Sequence, residues 1–254
     1  SGIIYSSNAT SITPTWNVGT LSGNPLIDPA FRGMEFNNAD PDIVYASGTD
    51  IYRSDDGGIT WSSTTGFGTG LDWASLLSGF NFTPLRINLA TDPANSNYIY
   101  ILSAATGGGD FQGIYRSTDG GTSFTARNTT TDVFESNQSW YDLALAVSPT
   151  NADEIYTGCL NVWKSFNGGT SATRINNWSN PTGPSYTHAD IHYLGFHGTR
   201  LFAGTDGGIY VSDNNGSNFT DLTAGAQISQ FYRIAVSKQS SANMVGGLQD
   251  NGGH

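Results

Sequence analysis

Cysteine is nearly absent from this chain of 254 residues, which contains Cys159 and no other. A disulfide within the chain is therefore excluded, and the fold must be held by packing and hydrogen bonds. Cys159 lies in the apolar run "EIYTGCLNVW". In such a run a cysteine is much more often a small buried apolar side chain than a nucleophile.

Positive charge is also scarce, because 10 Lys and Arg stand against 21 Asp and Glu and leave a formal net charge of −11. Affinity for nucleic acid comes mainly from Lys and Arg on phosphate, so a nucleic-acid ligand is excluded. An anionic membrane surface is disfavoured for the same reason. Charged residues make up only 12% of the chain, and 32 residues are glycine, a composition typical of a turn-rich all-β protein.

Long apolar runs are missing as well, so we expect no insertion into a membrane. The chain opens with "SGIIYSS", which has the pattern of a strand rather than of a secretion leader. We therefore expect a processed chain that is secreted or held at the cell surface.

A motif of serine, aspartate or asparagine, and glycine recurs four times. The copies are "SDDGGITW" at 54–61, "STDGGTSF" at 117–124, "SFNGGTSA" at 165–172 and "SDNNGSNF" at 212–219. Asp and Asn side chains cap nearby backbone N–H groups, and Gly adopts positive φ without a clash. Each copy therefore predicts a tight turn between two strands. A degraded fifth copy, "SSNATSITPTW", follows Ile4-Tyr5.

Each copy follows an apolar pair that predicts the end of a strand. The first residues of these pairs are Ile4, Ile51, Ile114, Val162 and Ile209, and the intervals between them are 47, 63, 48 and 47 residues. Such a period is typical of propeller blades. Two further strands precede each pair, as in "RINLATDP" (86–93) and "YIYILSA" (98–104). Each repeat thus contains four short antiparallel strands.

The sequence therefore predicts an all-β fold, a β-propeller of four-stranded antiparallel blades in a single domain over residues 1–254. Four blades are expected at 30–65, 85–128, 141–178 and 189–224. Residues 1–20 and 229–254 would each supply half a blade, which makes about five blades in this chain. The alternative is that the chain is a fragment of a larger propeller.

The pattern Ser-x-Asp-x-Gly-x-Thr-Trp between the third and fourth strands resembles the Asp box, or BNR repeat. That repeat is found in sialidases, in sortilin-type receptors and in xyloglucanase-type glycoside hydrolases. Turns between these strands face away from the usual ligand entrance of a propeller, so we expect a structural role for the motif. The residues concerned are Ser54, Asp56, Gly58, Trp61, Ser117, Asp119, Gly121, Phe124, Ser165, Asn167, Gly169, Ser212, Asn214, Gly216 and Phe219.

The C-terminal part gives a narrower resemblance. "HADIHYLGF", "LFAGTDGGIYVSDNNGSNF" and "GGLQDNGG" are similar to sortilin-like, xyloglucanase-like propellers of large secreted bacterial proteins. This resemblance implies secretion, with a bacterial protein-secretion system as a possible partner that exports the chain as cargo.

The ligand face of such a propeller is built by the loops between blades and by the turns between the second and third strands. These segments carry aromatic side chains, which suit stacking on sugar rings. The predicted ligand-binding residues are Trp73, Trp140, Trp178, Tyr186 and Phe111. The function predicted first is binding of an extracellular glycan or other polymer. If these aromatic residues instead only pack the loops onto the blades, a sortilin-like protein-binding domain or an exported scaffold is the alternative.

A glycoside hydrolase, such as a xyloglucanase-like endo-glucanase, is a further alternative that requires two carboxylates at a defined separation. The catalytic candidates are Asp72, Asp110, Asp142 and Asp190, and spacing singles out no pair. A sialidase would need an arginine trio, for which Arg32, Arg86 and Arg233 are available. The segment "FRGMEF" departs from the sialidase Phe-Arg-Ile-Pro pattern, so a sialidase is less expected.

The segment "HADIH" places His188, Asp190 and His192 at alternate positions. In a strand these side chains would share one face and could bind Zn²⁺ or another divalent metal. The alternative is a polar strand that lines a wet channel. No cofactor is required by either interpretation, and a divalent metal remains possible.

Overall fold

The computed structural model of the chain describes residues 2–28, 31–63, 84–105, 107–226, 230–240 and 242–250. Within these ranges all regular structure is β-strand. The same ranges contain no helix long and apolar enough to cross a membrane. The prediction of an all-β fold is confirmed.

Three sheets, which we name B, C and D, each contain four antiparallel strands in sequence order. Sheet B consists of β9 (Pro84–Thr91), β10 (Ile99–Ala105), β11 (Phe111–Ser117) and β12 (Thr125–Asn128). Sheet C consists of β13 (Ala144–Ser148), β14 (Asn151–Gly158), β15 (Val162–Ser165) and β16 (Thr173–Arg174). Sheet D consists of β17 (Ile191–His197), β18 (Arg200–Thr205), β19 (Gly208–Ser212) and β20 (Thr220–Asp221).

Sheet A has the same core of four antiparallel strands and is extended at one edge. Its strands are β5 (Gly33–Phe36), β6 (Val44–Ser47), β7 (Ile51–Ser54) and β8 (Thr60–Ser63). Strand β3 (Thr20–Leu21) lies parallel to β8, and β4 (Asn24–Pro25) pairs antiparallel with β3. The N-terminal segment is therefore attached to the outer edge of sheet A.

Two shorter sheets lie at the ends of the chain. The N-terminal hairpin pairs β1 (Ile4–Tyr5) with β2 (Asn17–Val18), and the C-terminal hairpin pairs β21 (Phe231–Val236) with β22 (Met244–Leu248). Each forms a separate two-stranded sheet.

The sheets are arranged side by side, with the first strand of each against the first strand of the next. Strand β9 contacts β5 and β13, and β13 contacts β17. A hydrophobic cluster fills each gap between neighbouring sheets, which explains why central strands such as β10 are buried on both faces. Between sheets A and B, for example, lie Tyr45, Ile51, Ile87, Leu89, Ile99, Ile101, Tyr115 and Phe124.

The four repeated turns each join the third and fourth strands of a sheet and share one hydrogen-bond pattern. In sheet A, Ser54 Oγ donates to Asp56 Oδ1 over 2.8 Å and accepts from Gly58 N over 2.9 Å. Asp56 Oδ1 also accepts from Thr60 N over 2.8 Å. Both central glycines have positive φ, 71° at Gly57 and 93° at Gly58. The sequence motif is therefore a self-contained network that closes one turn.

The repeated turns also contact the preceding sheet. Tyr45 of sheet A donates its hydroxyl to the carbonyl of Gly120 in the turn of sheet B over 3.0 Å. Tyr156 of sheet C likewise donates to the carbonyl of Asn215 in the turn of sheet D over 3.2 Å. These bonds connect neighbouring sheets at the end where the repeated turns lie.

Candidate ligand cleft

The strand order places the other connections at the opposite end of the sheets. In an antiparallel sheet the turn between strands two and three, and the loop that leaves strand four, lie at the end away from the turn between strands three and four. We call this the loop end. It contains the turn of Asp206 and Gly207 between β18 and β19, and the segment that precedes β13.

A cleft of about 630 Å³ lies at the loop end, between sheet D and the C-terminal hairpin. Residues from six separate segments surround it, among them Tyr141, His192, Asp206, Thr223, Gln249 and Asp250. Its volume falls in the range of about 300–1,000 Å³ that is typical of small-ligand sites.

Asp206 is the centre of the polar wall. Tyr141 Oη donates to its two carboxylate oxygens, over 3.0 Å to Oδ1 and 2.9 Å to Oδ2. His192 Nε2 lies 2.7 Å from Asp206 Oδ1. The rings of Tyr141 and His192 meet edge to face, with centroids 4.6 Å apart. A carboxylate held by two aromatic side chains is an oriented hydrogen-bond acceptor.

The position of Tyr141 is set by sheet B. Arg86 on β9 is buried, and its Nη1 donates to the carbonyls of Ser139 and Tyr141 over 3.1 and 3.0 Å. Asn88 Nδ2 donates to the carbonyl of Leu143 over 2.8 Å. Burial lowers the pKa of Arg86 to about 10, with a further lowering by Arg32. The guanidinium group of Arg86 therefore donates to backbone carbonyls rather than to a ligand carboxylate. This argues against the sialidase alternative.

A buried acid lies behind this segment. Gln138 Nε2 donates to Asp142 Oδ2 over 3.1 Å and also donates to Asp190 Oδ1. Asp142 is fully buried, and the loss of solvation raises its pKa to about 6. Cys159 is buried beside it, with Sγ 3.4 Å from Asp142 Oδ1, and its thiol pKa is raised by burial and by this carboxylate. The expectation of a buried Cys159 is confirmed.

The cleft is negatively charged. Burial first, then the carboxylates of Asp206, Asp190 and Asp250, raise the pKa of Tyr141 to about 12. The pKa of Asp190 is raised by burial and by Asp206 and Asp250. No Lys or Arg is among the described residues that line the cleft. Asp190 and Asp250 both have left-handed backbones, with φ of 64° and 61°, a conformation that is uncommon outside Gly and enriched in Asp.

The predicted aromatic residues fall into two groups. Trp140 and Trp178 are 56% and 44% exposed, and the ring of Trp140 lies 5.6 Å from that of Tyr141 at the cleft. Tyr186 instead packs into the core between sheets C and D, 5.8 Å from Tyr210. Phe111 packs edge to face against Phe134. Trp73 lies outside the described residues.

The predicted carboxylates are also dispersed. Asp110 is exposed in the turn between β10 and β11, whereas Asp142 has no exposed surface. Asp190 is half-buried and is linked to Asp142 through Gln138. Asp72 lies outside the described residues. Among the described candidates, only Asp190 combines partial exposure with a raised pKa.

In the described residues the three side chains of "HADIH" do not share one face, as the prediction of a metal site assumed. Strand β17 begins only at Ile191, and the positive φ of Asp190 breaks the alternation that would align the three side chains. His188 Nδ1 lies 3.1 Å from the carbonyl of Ala189, and His192 pairs with Asp206. No group of three or more His, Cys, Asp or Glu in the described ranges is arranged to hold a metal ion.

Sequence analysis missed Tyr141, Asp206 and Asp250 as parts of one cleft. Asp206 lies in "TDGG" (205–208) and Asp250 in "QDNG" (249–252), and both segments have the composition of ordinary turns. Their position between strand two and strand three of a repeat was the available signal, because that connection belongs to the loop end. Nothing in the sequence indicates that Tyr141 would reach Asp206.

Comparison with known proteins gives the fold. No protein-family model and no curated protein matches the chain. A GH74 xyloglucanase from Xanthomonas campestris matches with a TM-score of 0.54 and 17% identity, over 88% of this chain and 34% of the enzyme. A GH74 enzyme from Niastella koreensis has the same TM-score and coverage at 24% identity.

YCF48 from Cyanidioschyzon merolae matches with a TM-score of 0.53 and 14% identity, over 88% of this chain and 66% of that protein. The chain thus spans about a third of the length of the two GH74 enzymes. At these identities the likeness shows the fold alone. Together with the four-stranded sheets, it supports the predicted propeller architecture.

Proposed function

We propose that the chain is a secreted Asp-box propeller module that binds an extracellular glycan or similar polymer at its loop end. The observation that carries the proposal is the cleft beside Trp140, in which Tyr141 and His192 hold the carboxylate of Asp206. Trp178 is a second exposed aromatic residue at the same end. The assignment to the Asp-box family rests on the repeated turns and their shared hydrogen bonds.

This arrangement suits a sugar polymer for two reasons. Exposed indole rings offer flat apolar faces on which sugar rings stack, and an oriented carboxylate accepts hydrogen bonds from hydroxyl groups. The cleft is also open, as a polymer requires. Its negative charge favours a neutral glycan over one that carries uronate or sialate, because like charges across an interface are unfavourable.

The direct test is affinity for a panel of neutral polysaccharides, with polygalacturonate as the anionic comparison. We expect binding to a neutral member, and we expect Trp140→Ala to weaken it about 5- to 30-fold through lost stacking. Tyr141→Phe should also weaken binding, because Asp206 loses its hydroxyl donor. The matched control is Phe166→Ala, which removes a 64% exposed aromatic ring within the repeated turn of sheet C. If no glycan binds, or if both aromatic variants bind as well as the control, the proposal fails.

A glycoside hydrolase is the second candidate, and the raised pKa of Asp190 favours it. A carboxyl group whose pKa is raised holds its proton more tightly than an ordinary one, as the general acid of a glycoside hydrolase does. The fold likeness to GH74 enzymes agrees with this candidate. Release of reducing ends from xyloglucan, lost in Asp190→Asn, would support hydrolysis. Binding without release supports the binding module, and saturable peptide binding without glycan binding would support a sortilin-like or scaffold role.

A further inference from the structure

Trp178 is an exposed aromatic residue of the loop end that does not line the cleft. It follows β16, the outer strand of sheet C. Its backbone N–H donates to Asn161 Oδ1 over 3.4 Å. Asn161 lies between β14 and β15, so the two residues belong to neighbouring connections at the loop end of sheet C.

Asn161 also links this position to a carboxylate. Its side chain is buried, and Nδ2 donates to Glu135 Oε2 over 2.6 Å. Trp163 Nε1 donates to the same oxygen over 3.2 Å, and Arg174 Nη1 donates to Oε1 over 3.0 Å. Glu135 comes from the segment that leaves sheet B, whereas its three donors belong to sheet C. The carboxylate is therefore held in one orientation across the gap between the two sheets.

The backbone of Glu135 is held in an uncommon conformation. Its φ is 57°, in the left-handed region that residues other than glycine seldom adopt. The preceding residue, Phe134, is fully buried, and its carbonyl accepts from Leu160 N over 3.3 Å. Conformations of this kind persist where the surroundings fix them, and they cluster at ligand sites.

The ion pair of Arg174 and Glu135 is open to a ligand. The two side chains are 45% and 27% exposed. Among the described residues, the guanidinium of Arg174 donates to Glu135 alone. A sugar hydroxyl both donates and accepts, so adjacent hydroxyls match a carboxylate acceptor beside a guanidinium donor. An ion pair this exposed adds little to stability, which leaves ligand binding as the role that its fixed geometry suits.

We propose that Trp178, Arg174 and Glu135 form a second glycan subsite, which we call the sheet C platform. The ligand is then a neutral polymer that reaches from the platform to the cleft, an inference that rests on the proposed function. The indole of Trp178 stacks on a sugar ring, and the ion pair binds hydroxyl groups. Because the pair has no net charge, the platform accepts the same neutral chain that the acidic cleft favours.

The positions of the two sites determine the length of this ligand. Trp163 packs against the hydrophobic cluster between sheets B and C, whereas the cleft adjoins sheet D. Packed sheets lie about 10 Å apart, so one sugar ring does not reach both sites. Glu135 and Tyr141 belong to the same segment, and the chain between them spans at most about 20 Å. A chain of several sugar units therefore covers both.

The length dependence of binding to the unaltered chain is the first test. The probes are xyloglucan, mixed-linkage β-glucan, mannan and xylan, each as oligosaccharides of about two and about eight sugar units. For the glycan that binds, we expect the longer oligosaccharide to bind at least about tenfold more tightly, because it contacts both sites. Equal affinities for the two lengths would overturn the proposal.

Variants of the platform are the second test. Trp178→Ala and Arg174→Ala should each weaken binding of the longer oligosaccharide about 5- to 20-fold and change binding of the shorter one less than about twofold. The matched control is Arg200→Ala, which removes an ion pair with Asp213 of similar exposure at the end of the repeated turns. It should leave both affinities unchanged. Thermal unfolding of each variant checks that it is folded.

The outcomes separate the platform from the proposed function. If Trp140→Ala weakens binding but both platform variants bind like Arg200→Ala, the proposed function stands and the platform is refuted. Equal weakening for both oligosaccharide lengths would also refute it, because the platform would then not be a separate subsite. If no glycan binds to the unaltered chain, the proposed function fails and the platform fails with it.

Discussion

The two ends of the sheets are built on opposite principles. At the repeated turns each side-chain carboxylate or amide accepts hydrogen bonds from residues of the same turn, as Asp56 does from Ser54 and Thr60. At the loop end, carboxylates accumulate without a lysine or arginine in the described cleft wall, and the pKa values of Asp142 and Asp190 are raised. The most conspicuous sequence motif therefore belongs to the end that holds the fold together, and the less regular end has the properties of a binding surface.

This contrast arises because one end of the sheets stabilises the fold and the other has the properties of a ligand surface. A turn that recurs in every sheet needs one compact network, so its residues recur and are visible in the sequence. A ligand surface needs different side chains from each loop, so it shows no repeat. Mutations at the first end should change stability, and mutations at the second should change binding or pH response.

The largest effect is expected at Trp61. Its ring is 4% exposed, packs with Ile3, Leu26 and Tyr52, and donates Nε1–H to the carbonyl of Gly58 over 2.8 Å. Trp61→Ala should lower the free energy of unfolding by about 3 kcal/mol or more, since truncation leaves a large cavity. Chemical denaturation measures this.

The matched control for Trp61 is Trp140→Ala at the loop end, where the ring is 56% exposed. We expect that variant to lose less than about 1 kcal/mol. Equal losses of stability in the two variants would contradict the division of the molecule into a structural end and a binding end.

The next largest effect is expected at Asp142, because its carboxyl is buried and its pKa is raised to about 6. The folded protein then binds a proton more tightly than the unfolded chain does, so stability is highest below the unfolded pKa of about 4 and falls as pH rises toward 6. Asp142→Asn should remove this loss and raise stability at pH 7 by about 2 kcal/mol. Thermal unfolding at pH 4, 5, 6 and 7 would show it, and an unchanged pH dependence would refute it.

A smaller loss of stability is expected when the repeated turn of sheet A is altered. Asp56→Ala removes the acceptor for Ile59 N and Thr60 N, which should cost about 1–2 kcal/mol, as loss of a capping side chain does. Glycan affinity should not change. A variant with normal stability and lost binding would place the turn at the binding end and overturn the comparison.

The sequence predicted the sheets well because they repeat. The positions of β9 and β10 followed from the apolar segments at 86–93 and 98–104, and the turn at Asp56 followed from its residue types. The cleft could not be predicted, because the contact between Tyr141 and Asp206 joins residues 65 positions apart. It depends on how Arg86 holds the backbone before β13. Local alternation also failed at Asp190, where one left-handed residue precedes the strand.

The smallest expected effect is the change of stability in acid. Its sign differs between the repeated turns and the loop end. Burial acts to raise the pKa of Asp56 and Asp119, but hydrogen bonds from Thr60 and Ser54, and from Ser123 and Ser117, outweigh it and hold both values below normal. Stability from these turns is therefore present above the unfolded pKa of about 4 and is lost as pH falls further. Acid should thus stabilise the protein through Asp142 between pH 6 and 4, and destabilise it through the turns below pH 4.

Asparagine already fills the same position in sheets C and D, where Asn167 Oδ1 accepts from Ser171 N over 2.9 Å and Asn214 Oδ1 from Asn218 N over 2.9 Å. The double variant Asp56→Asn with Asp119→Asn should therefore fold normally and lose only about 0.5 kcal/mol per site at pH 7. Its stability should fall less steeply between pH 4 and 3 than that of the unaltered chain, while its response between pH 6 and 4 stays the same. A change in the upper range instead of the lower one would mean that the turns and the cleft are electrostatically coupled, and the two ends could then not be treated as independent.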